Sequence, residues 1–256
     1  MIVVDEIAPS TRAGGANSSH TILVPALSRV LESVESRAHA EAYKRAVIED
    51  NVLGKATAAS RRRTLRYMRE LYVLRPDSIL FRALRDLWTD EPAGQPLLAG
   101  LCALARDPLF RASASAILDV DPGDIVKSAD LAAAVDLAFP GRYNEATLAK
   151  IGRNTSSSWQ QTCHLEPVAR TTKVRRRAVC TPAAIAYALL LGHLEGVAGA
   201  PLFETFWARA LDAPPSRLVD LAAAASAHTL IDFRHGGGVT EVGFSWLLRP
   251  FEGRLA

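Results

Sequence analysis

Apolar residues recur at three- and four-residue intervals along nearly the whole chain, in runs broken roughly every 10 to 20 residues by Pro, Gly, Asp or Ser. That spacing lays one apolar stripe along each of a series of short helices, which can bury those stripes only by packing against one another. Leu27, Val30, Leu31 and Val34 form one stripe; Tyr43, Val47 and Ile48 another; Leu65, Met68 and Tyr72 a third; Leu80, Leu84, Leu87 and Trp88 a fourth. Two more follow at Leu97, Leu98, Leu101 and Leu104, and at Phe110, Ala114, Ile117 and Leu118. With 49% apolar and 22% charged residues in 256, the chain can fill one large core or two smaller ones, which excludes disorder throughout.

Punctuation sets the expected organisation. Asp119 to Asp124 (DVDPGD) gathers acids around a Pro-Gly pair, a turn signal at which a domain boundary is expected. Beyond it Ser128 opens a helix through Leu131, Val135 and Phe139 that Pro140-Gly141 stops, and Asn144 caps a second helix to about Thr162. His164 to Arg170 and Lys173 to Cys180, joined at Thr171-Thr172, read as two short strands. Thr181-Pro182 then starts a helix through Ile185, Leu189 and Leu190. A helix with Phe203, Phe206, Trp207 and Leu211 follows, and another begins at Ser216 with Leu218, Leu221 and Ala225. Last, Thr229–Phe233 and Val239–Trp246 flank Arg234-His235-Gly236-Gly237-Gly238, a hairpin. The expected fold is mainly α, an N-terminal helical bundle followed by a C-terminal winged-helix-like helical domain with short β-hairpins. Its divisions are a flexible or loosely docked arm (1–20), a helical domain (21–120) and a winged-helix-like domain (121–256) with hairpins near 164–180 and 229–246.

The uncharged run Ala178 to Gly192 is too short to cross a bilayer and is read as a buried helix. The N-terminus has Asp5 and Glu6 directly behind its few apolar residues and no basic start, so no signal peptide is expected. Cys102, Cys163 and Cys180 are odd in number and form no CxxC, which argues against a disulfide framework and a four-ligand zinc site. Buried structural thiols in a reducing cytoplasm are expected instead.

Charge is unevenly placed. The overall balance is only +3, yet Lys55 to Arg75 holds seven cations (Lys55, Arg61, Arg62, Arg63, Arg66, Arg69, Arg75) against Glu70. Asn144 to Thr181 holds seven more (Lys150, Arg153, Arg170, Lys173, Arg175, Arg176, Arg177) against Glu145 and Glu166. Two basic patches therefore sit on an acidic body. On the helix from Asn144, apolar Leu148, Ile151 and Trp159 share one side, while Lys150, Arg153, Asn154, Ser157 and Gln161 recur at helical spacing on another. Those five offer hydrogen-bonding groups for phosphate and base edges and no acid to repel phosphate, the inventory of a helix in a DNA major groove. The basic hairpin after it has the place of a wing, with Arg170, Lys173, Arg175 and Arg177 directed at the backbone. Strand alternation puts Arg175 and Arg177 on one face and Arg176 on the other. In SRRRTLRYMREL, Leu65, Met68 and Tyr72 turn inward and Arg62, Arg66 and Arg69 lie on a more exposed flank; the segment, with Arg61, Arg62, Arg63 and Arg66 as its DNA-binding candidates, would extend a phosphate-binding surface or meet an acidic protein. The plainer alternative is a solvated polar face in a chain whose 30 basic residues include 25 Arg.

Signatures of catalysis and cofactor binding are missing. Cys163, His164 and Cys180 lack a fourth metal ligand at a usual spacing, and His20, His39, His193, His228 and His235 form no HExxH or HxH. The sequence has no GxSxG, GxxxxGK[ST] or GxGxxG. The Gly-rich turn at Gly236–Gly238 is explained by the hairpin, and Asp119, Asp121 and Asp124 lack the remaining ligands of a calcium loop. A non-enzymatic protein without cofactor or metal is expected.

Three segments carry a family resemblance: AYKRAVIEDNVLGKATAASRRRTLRYMRELY (42–72), LLAGLCALARDPLFRASASAIL (97–118) and YNEATLAKIGRNTSSSWQQTCHL (143–165), the last followed by the basic hairpin. Together they resemble the BrxA family of BREX (bacteriophage exclusion) phage-defence systems, over roughly Leu27 to Leu248. None of the three is a catalytic signature. The resemblance implies a small, mostly helical, non-enzymatic cytosolic protein that binds double-stranded DNA. It also implies partners in the same system: a DNA methyltransferase, an alkaline-phosphatase-like protein and large ATPases. A likeness of the family's helical part to NusB-type antitermination factors admits RNA as a ligand. The expected function is thus duplex-DNA binding as an accessory component of such a defence system, with no membrane association. Its rivals are a protein-interaction adaptor for the other components and a NusB-like RNA-binding regulator.

Overall fold

The computed structural model describes residues 6–89, 91–169 and 172–250. Helices dominate: α1 (Val24–Ser33), α2 (Ala40–Ile48), α3 (Ala58–Tyr72), α4 (Ile79–Leu87), α5 (Gln95–Arg106), α6 (Pro108–Ala112) and α7 (Ser115–Leu118) precede the 119–124 turn. After it come β1 (Ile125–Lys127), α8 (Ser128–Ala138), α9 (Glu145–Gln161), β2 (Leu165–Pro167) and β3 (Thr172–Arg175). The chain continues through α10 (Pro182–Leu194), α11 (Phe206–Arg209), α12 (Pro215–Ala227) and the hairpin β4 (Asp232–Gly236) and β5 (Val239–Gly243). The fold is mainly α with short antiparallel hairpins, as the periodicity implies.

The starts of several helices follow from side-chain caps. Thr57 Oγ1 accepts from Ser60 N (3.1 Å), Asn144 Oδ1 from Thr147 N (2.9 Å) and Thr181 Oγ1 from Ala184 N (3.3 Å), each satisfying a donor that the first helical turn leaves unpaired. The uncharged run beyond Cys180 becomes α10, whose residues from Ala183 to Gly192 are all buried. It packs against α4, α5, α11 and α12, and Tyr187 anchors it by donating to Leu80 O (2.9 Å). One continuous apolar cluster draws Leu98 and Leu101 of α5, from before the 119–124 turn, together with Ile185 and Leu189 of α10 from after it.

The segment between residues 125 and 175 has winged-helix connectivity. Strand, helix, helix, strand and strand follow in order, and the three strands form an antiparallel sheet ordered β1-β3-β2. β1, a three-residue strand directly behind the acidic turn, is an element the sequence pattern does not disclose. α8 and α9 approach so closely that a Cβ on Gly152 would lie 2.2 Å from Ser128 O, which reserves that α9 position for glycine. Leu109, Val135, Phe139 and Ile151 make a small second core between these helices and α6. Trp159 joins the main core; its Nε1 donates to Ser113 Oγ (2.9 Å) and its ring stands 4.8 Å from that of Phe110.

The N-terminal segment corrects an expectation. The first five residues lie outside the described residues, but from Glu6 onward the arm is built into the protein rather than loosely attached. Glu6 accepts from Ser78 Oγ (2.8 Å), Ile79 N (3.1 Å) and Leu80 N (2.7 Å), capping α4. Ala8 N donates to Ala105 O (2.8 Å). At the short 3-10 turn Ala16–Ser18, the buried Asn17 donates from its backbone N (2.8 Å) and Nδ2 (2.9 Å) to Asp107 Oδ2. Gly15, at φ +147°, precedes this turn where a Cβ would stand 2.3 Å from Asp107 Oδ1. These contacts are 70 to 100 residues apart in sequence, so no local pattern signals them.

Candidate nucleic-acid interface

α9 is the second helix of the winged-helix segment, the position from which such folds present side chains to a groove. Its inward side is closed by Ile151, Gly152, Thr155, Ser156, Ser158 and Trp159. Lys150 and Arg153 are exposed, and Ser157 is half-buried beside them. Asn154 and Gln161 belong to a different stripe. Asn154 Nδ2 donates to Asn17 O (2.9 Å), Ser158 Oγ donates to Asn17 Oδ1 (2.7 Å) and accepts from Ile22 N (3.1 Å), and Gln161 Oε1 accepts from Val24 N (2.8 Å). Positions 154, 158 and 161 follow helical spacing, and the whole stripe holds the N-terminal segment and the start of α1. The exposed face is narrower than the sequence suggests, running through Ala146, Ala149, Lys150, Arg153, Ser157 and Gln160.

The wing differs more. Lys173 is 7% exposed and Arg175 1%, because β3 is the central strand of its sheet and is covered on both faces. Lys173 Nζ donates to Ser156 O (2.8 Å), and burial pushes its pKa down to about 8. Arg175 donates from Nε to Ile117 O (2.7 Å) and from Nη1 to His164 O (3.4 Å) and Arg176 O, and its Nη2 pairs with Asp212 Oδ2 at 2.8 Å. Neither cation reaches the outer surface, so neither supplies the backbone contact expected of it. β3 ends at Arg175, so strict alternation stops there: Arg176 and Arg177 are both exposed, and Arg176 pairs with Glu166 at 2.6 Å. Arg170 lies outside the described residues.

The Arg-rich α3 divides likewise. Arg61 Nη1 donates to Ile48 O (2.6 Å), tying α3 to the end of α2. Arg62, Arg63 and Arg66 are exposed; Arg66 sits 4.9 Å over the Tyr67 ring and donates to Tyr67 Oη (3.2 Å). The docked N-terminal segment, which packs on both α3 and α9, brings the two basic regions together. His20, its ring 4.1 Å from that of Tyr67, has its pKa lowered by burial and then by the positive charges of Arg63, Lys150, Arg66 and Lys55. Cations more than 80 residues apart in sequence thus share one neighbourhood around a neutral imidazole. His20, Lys55 and Gln160 are members of this surface that sequence reasoning missed. Only Lys55 carried a signal, as part of the basic run.

Other candidate groups are structural. His164 is fully buried; Nε2 lies 3.2 Å from Ala210 O and Nδ1 2.7 Å from Thr162 Oγ1. A carbonyl only accepts, so Nε2 carries the proton, and burial reinforced by the Arg175 charge brings the pKa down to about 3. Cys102 is buried and Cys180 half-buried, and burial pushes both thiols up to about 12. Cys163, expected as a buried thiol, is exposed at the end of α9, in left-handed backbone at φ 66°. Among the described residues no group of three or more His, Cys, Asp or Glu is arranged to hold a metal, and no helix is long and apolar enough to cross a membrane.

No family model matches the chain, and no curated protein matches it. Among solved structures, one described as the magnesium ion-bound SspB crystal structure aligns at 15% identity with a TM-score of 0.44. The alignment spans 69% of this chain and 60% of the length of that one.

Proposed function

We propose that this protein binds duplex DNA, with α9 lying in or beside a groove and the flank of α3 on neighbouring phosphates, and that it catalyses no reaction of its own. The observation that carries the reading is the convergence of Lys150 on α9 with Lys55, Arg63 and Arg66 around His20, beside a helix in winged-helix context. Lys150, Arg153, Arg62 and Arg63 are exposed and take part in no ion pair among the described residues, so their charges are available to phosphate oxygens. Ser157 and Gln160 offer hydrogen bonds between them, and Ala146 and Ala149 let a backbone come close. Relative to the sequence reading, the interface gives up Lys173 and Arg175, and Asn154 and Gln161 become supports that orient α9. A place in a BREX-type phage-defence system, in the cytoplasm and beside a methyltransferase, a phosphatase-like protein and ATPases, rests on the family resemblance.

The test is an electrophoretic mobility shift with duplex DNA and with RNA of the same sequence, comparing wild type with Lys150→Glu/Arg153→Glu. A duplex shift that the double variant loses while keeping its circular dichroism supports the proposal. Equal or stronger binding of RNA supports the regulator reading instead. Absence of any shift at low salt moves the protein to the adaptor class, where charge reversal at Arg62 and Arg63 should abolish capture of the partner proteins.

A further inference from the structure

A second cationic feature lies at the other end of α1. That helix begins at Val24, held by Gln161, and its ten residues span about 15 Å before its last carbonyls meet Arg85. There a cavity of about 260 Å³ is lined by Arg37, Arg82, Arg85 and Arg249, with Tyr43 and Asp86. Four guanidinium groups thus face one carboxylate. Arg82 and Arg85 are only 8% and 7% exposed, although concentrating like charges away from water is costly.

Contacts within the chain hold these groups without satisfying them. Arg82 Nη1 donates to Pro76 O (3.2 Å), and Arg85 Nη2 donates to Leu31 O (2.9 Å) and Val34 O (2.8 Å), closing the end of α1. Arg249 Nη1 donates to Trp246 O (2.7 Å) and pairs with Asp86 Oδ2 at 2.9 Å. The Nε–H groups of Arg82 and Arg85 remain buried with no hydrogen-bond partner, and the buried hydroxyl of Tyr43 lies beside Arg85. More than nine in ten buried polar groups are partnered in folded proteins, so two unpartnered arginine donors at one cavity call for a ligand rich in acceptors. The other carboxylates near Arg82 are engaged elsewhere, Glu6 in capping α4 and Asp77 with Arg75 at 3.4 Å.

We propose that this cavity binds a compact phosphomonoester. Arginine forks match phosphate oxygens bidentately, and the volume falls just under the usual range of about 300–1,000 Å³ for small-molecule sites, which selects a small phosphorylated molecule over a polymer. The wall supplied by Phe81 and Pro250 is apolar enough to receive its organic part. Asp86 pairs with Arg249 and must yield it to the incoming anion.

Isothermal titration of DNA-free protein with inorganic phosphate and with adenosine monophosphate, against chloride at equal ionic strength, tests this. Saturable binding of either phosphate probe, absent with chloride, is expected. Asp86→Asn should tighten binding by removing the competing carboxylate. Arg249→Gln and Arg37→Ala together should weaken it about tenfold or more, and Tyr43→Phe should weaken it while preserving the packing of the ring. A carboxylate and an arginine that served only the fold would not move affinity in opposite directions. Phosphate behaving like chloride overturns the proposal, as does Asp86→Asn that fails to tighten binding, or displacement of phosphate by duplex DNA. Lys150→Glu/Arg153→Glu should bind phosphate as wild type does, so this proposal and the DNA reading fail separately.

Discussion

Replacing Arg175 by Met tests whether this cation belongs to the fold or to a DNA surface. Methionine keeps an unbranched stem of similar length and removes every donor. Asp212, 16% exposed in its side chain, then loses its 2.8 Å partner, and the carbonyls of Ile117, His164 and Arg176 lose a shared donor inside the protein. Breaking a buried pair from one side costs about 3–5 kcal/mol, because the remaining charge stays desolvated. At roughly 2–4 °C per kcal/mol for a chain near this size, Tm should fall by about 6–20 °C. Urea unfolding followed by circular dichroism measures the loss directly. Asp212→Asn should cost less, since the guanidinium keeps its three carbonyl acceptors. The double variant should cost less than the sum of the two singles, because both remove the same contact. A loss below about 1 kcal/mol for Arg175→Met, accompanied by weaker DNA binding, would refute the assignment, since that is how an exposed side chain behaves.

Two further perturbations follow from the buried polar groups. His164 titrates near pH 6.5 in the unfolded chain and at about 3 in the folded one, so between these values the unfolded state holds the extra proton. Its contribution is complete above pH 6.5 and is lost as pH falls toward 3, a few kcal/mol in all; pH-dependent urea midpoints should drop over that window in wild type and drop less in His164→Asn. Asn17→Ala removes the Nδ2 donor to Asp107 Oδ2, which keeps the backbone N of residue 17, and one of the two acceptors of Ser158 Oγ, which keeps Asn154 O, and should cost about 1–2 kcal/mol. Limited proteolysis should then cleave between Glu6 and Ser19 in the variant before the rest of the chain, and equal protection in the two proteins would contradict the docked arm.

Features encoded locally were legible. The caps at Asn144 and Thr181, the stops around Pro140-Gly141 and the Gly237-Gly238 turn of the last hairpin each depend on one or two residues whose chemistry acts within a helical turn. Helical spacing likewise identified the inward residues Ile151 and Trp159. The sequence could not reveal which polar stripe of α9 faces water, because Asn17, Ile22 and Val24 claim the 154–158–161 stripe from about 137 residues away. An arginine in a basic strand reads as exposed for the same reason. Nothing near Arg175 in sequence announces that Asp212 will meet it, and alternation predicts faces only while a strand continues. The docked arm escaped for a related reason, its partners at Ser78, Ala105 and Asp107 being set by tertiary packing.

The most direct test of the central claim is the salt dependence of duplex-DNA affinity, measured by fluorescence anisotropy over a fourfold range of salt. If Lys55, Arg62, Arg63, Arg66, Lys150 and Arg153 each neutralise a phosphate, log affinity should fall against log salt with a slope of about −5, roughly a thousandfold loss over that range. Lys150→Gln/Arg153→Gln should reduce the slope to about −3.5, whereas Arg209→Gln, whose charge is already paired with Asp119 at 2.7 Å, should leave it unchanged. A flat salt response, or a slope indifferent to Lys150 and Arg153, would contradict the assignment of this surface to DNA.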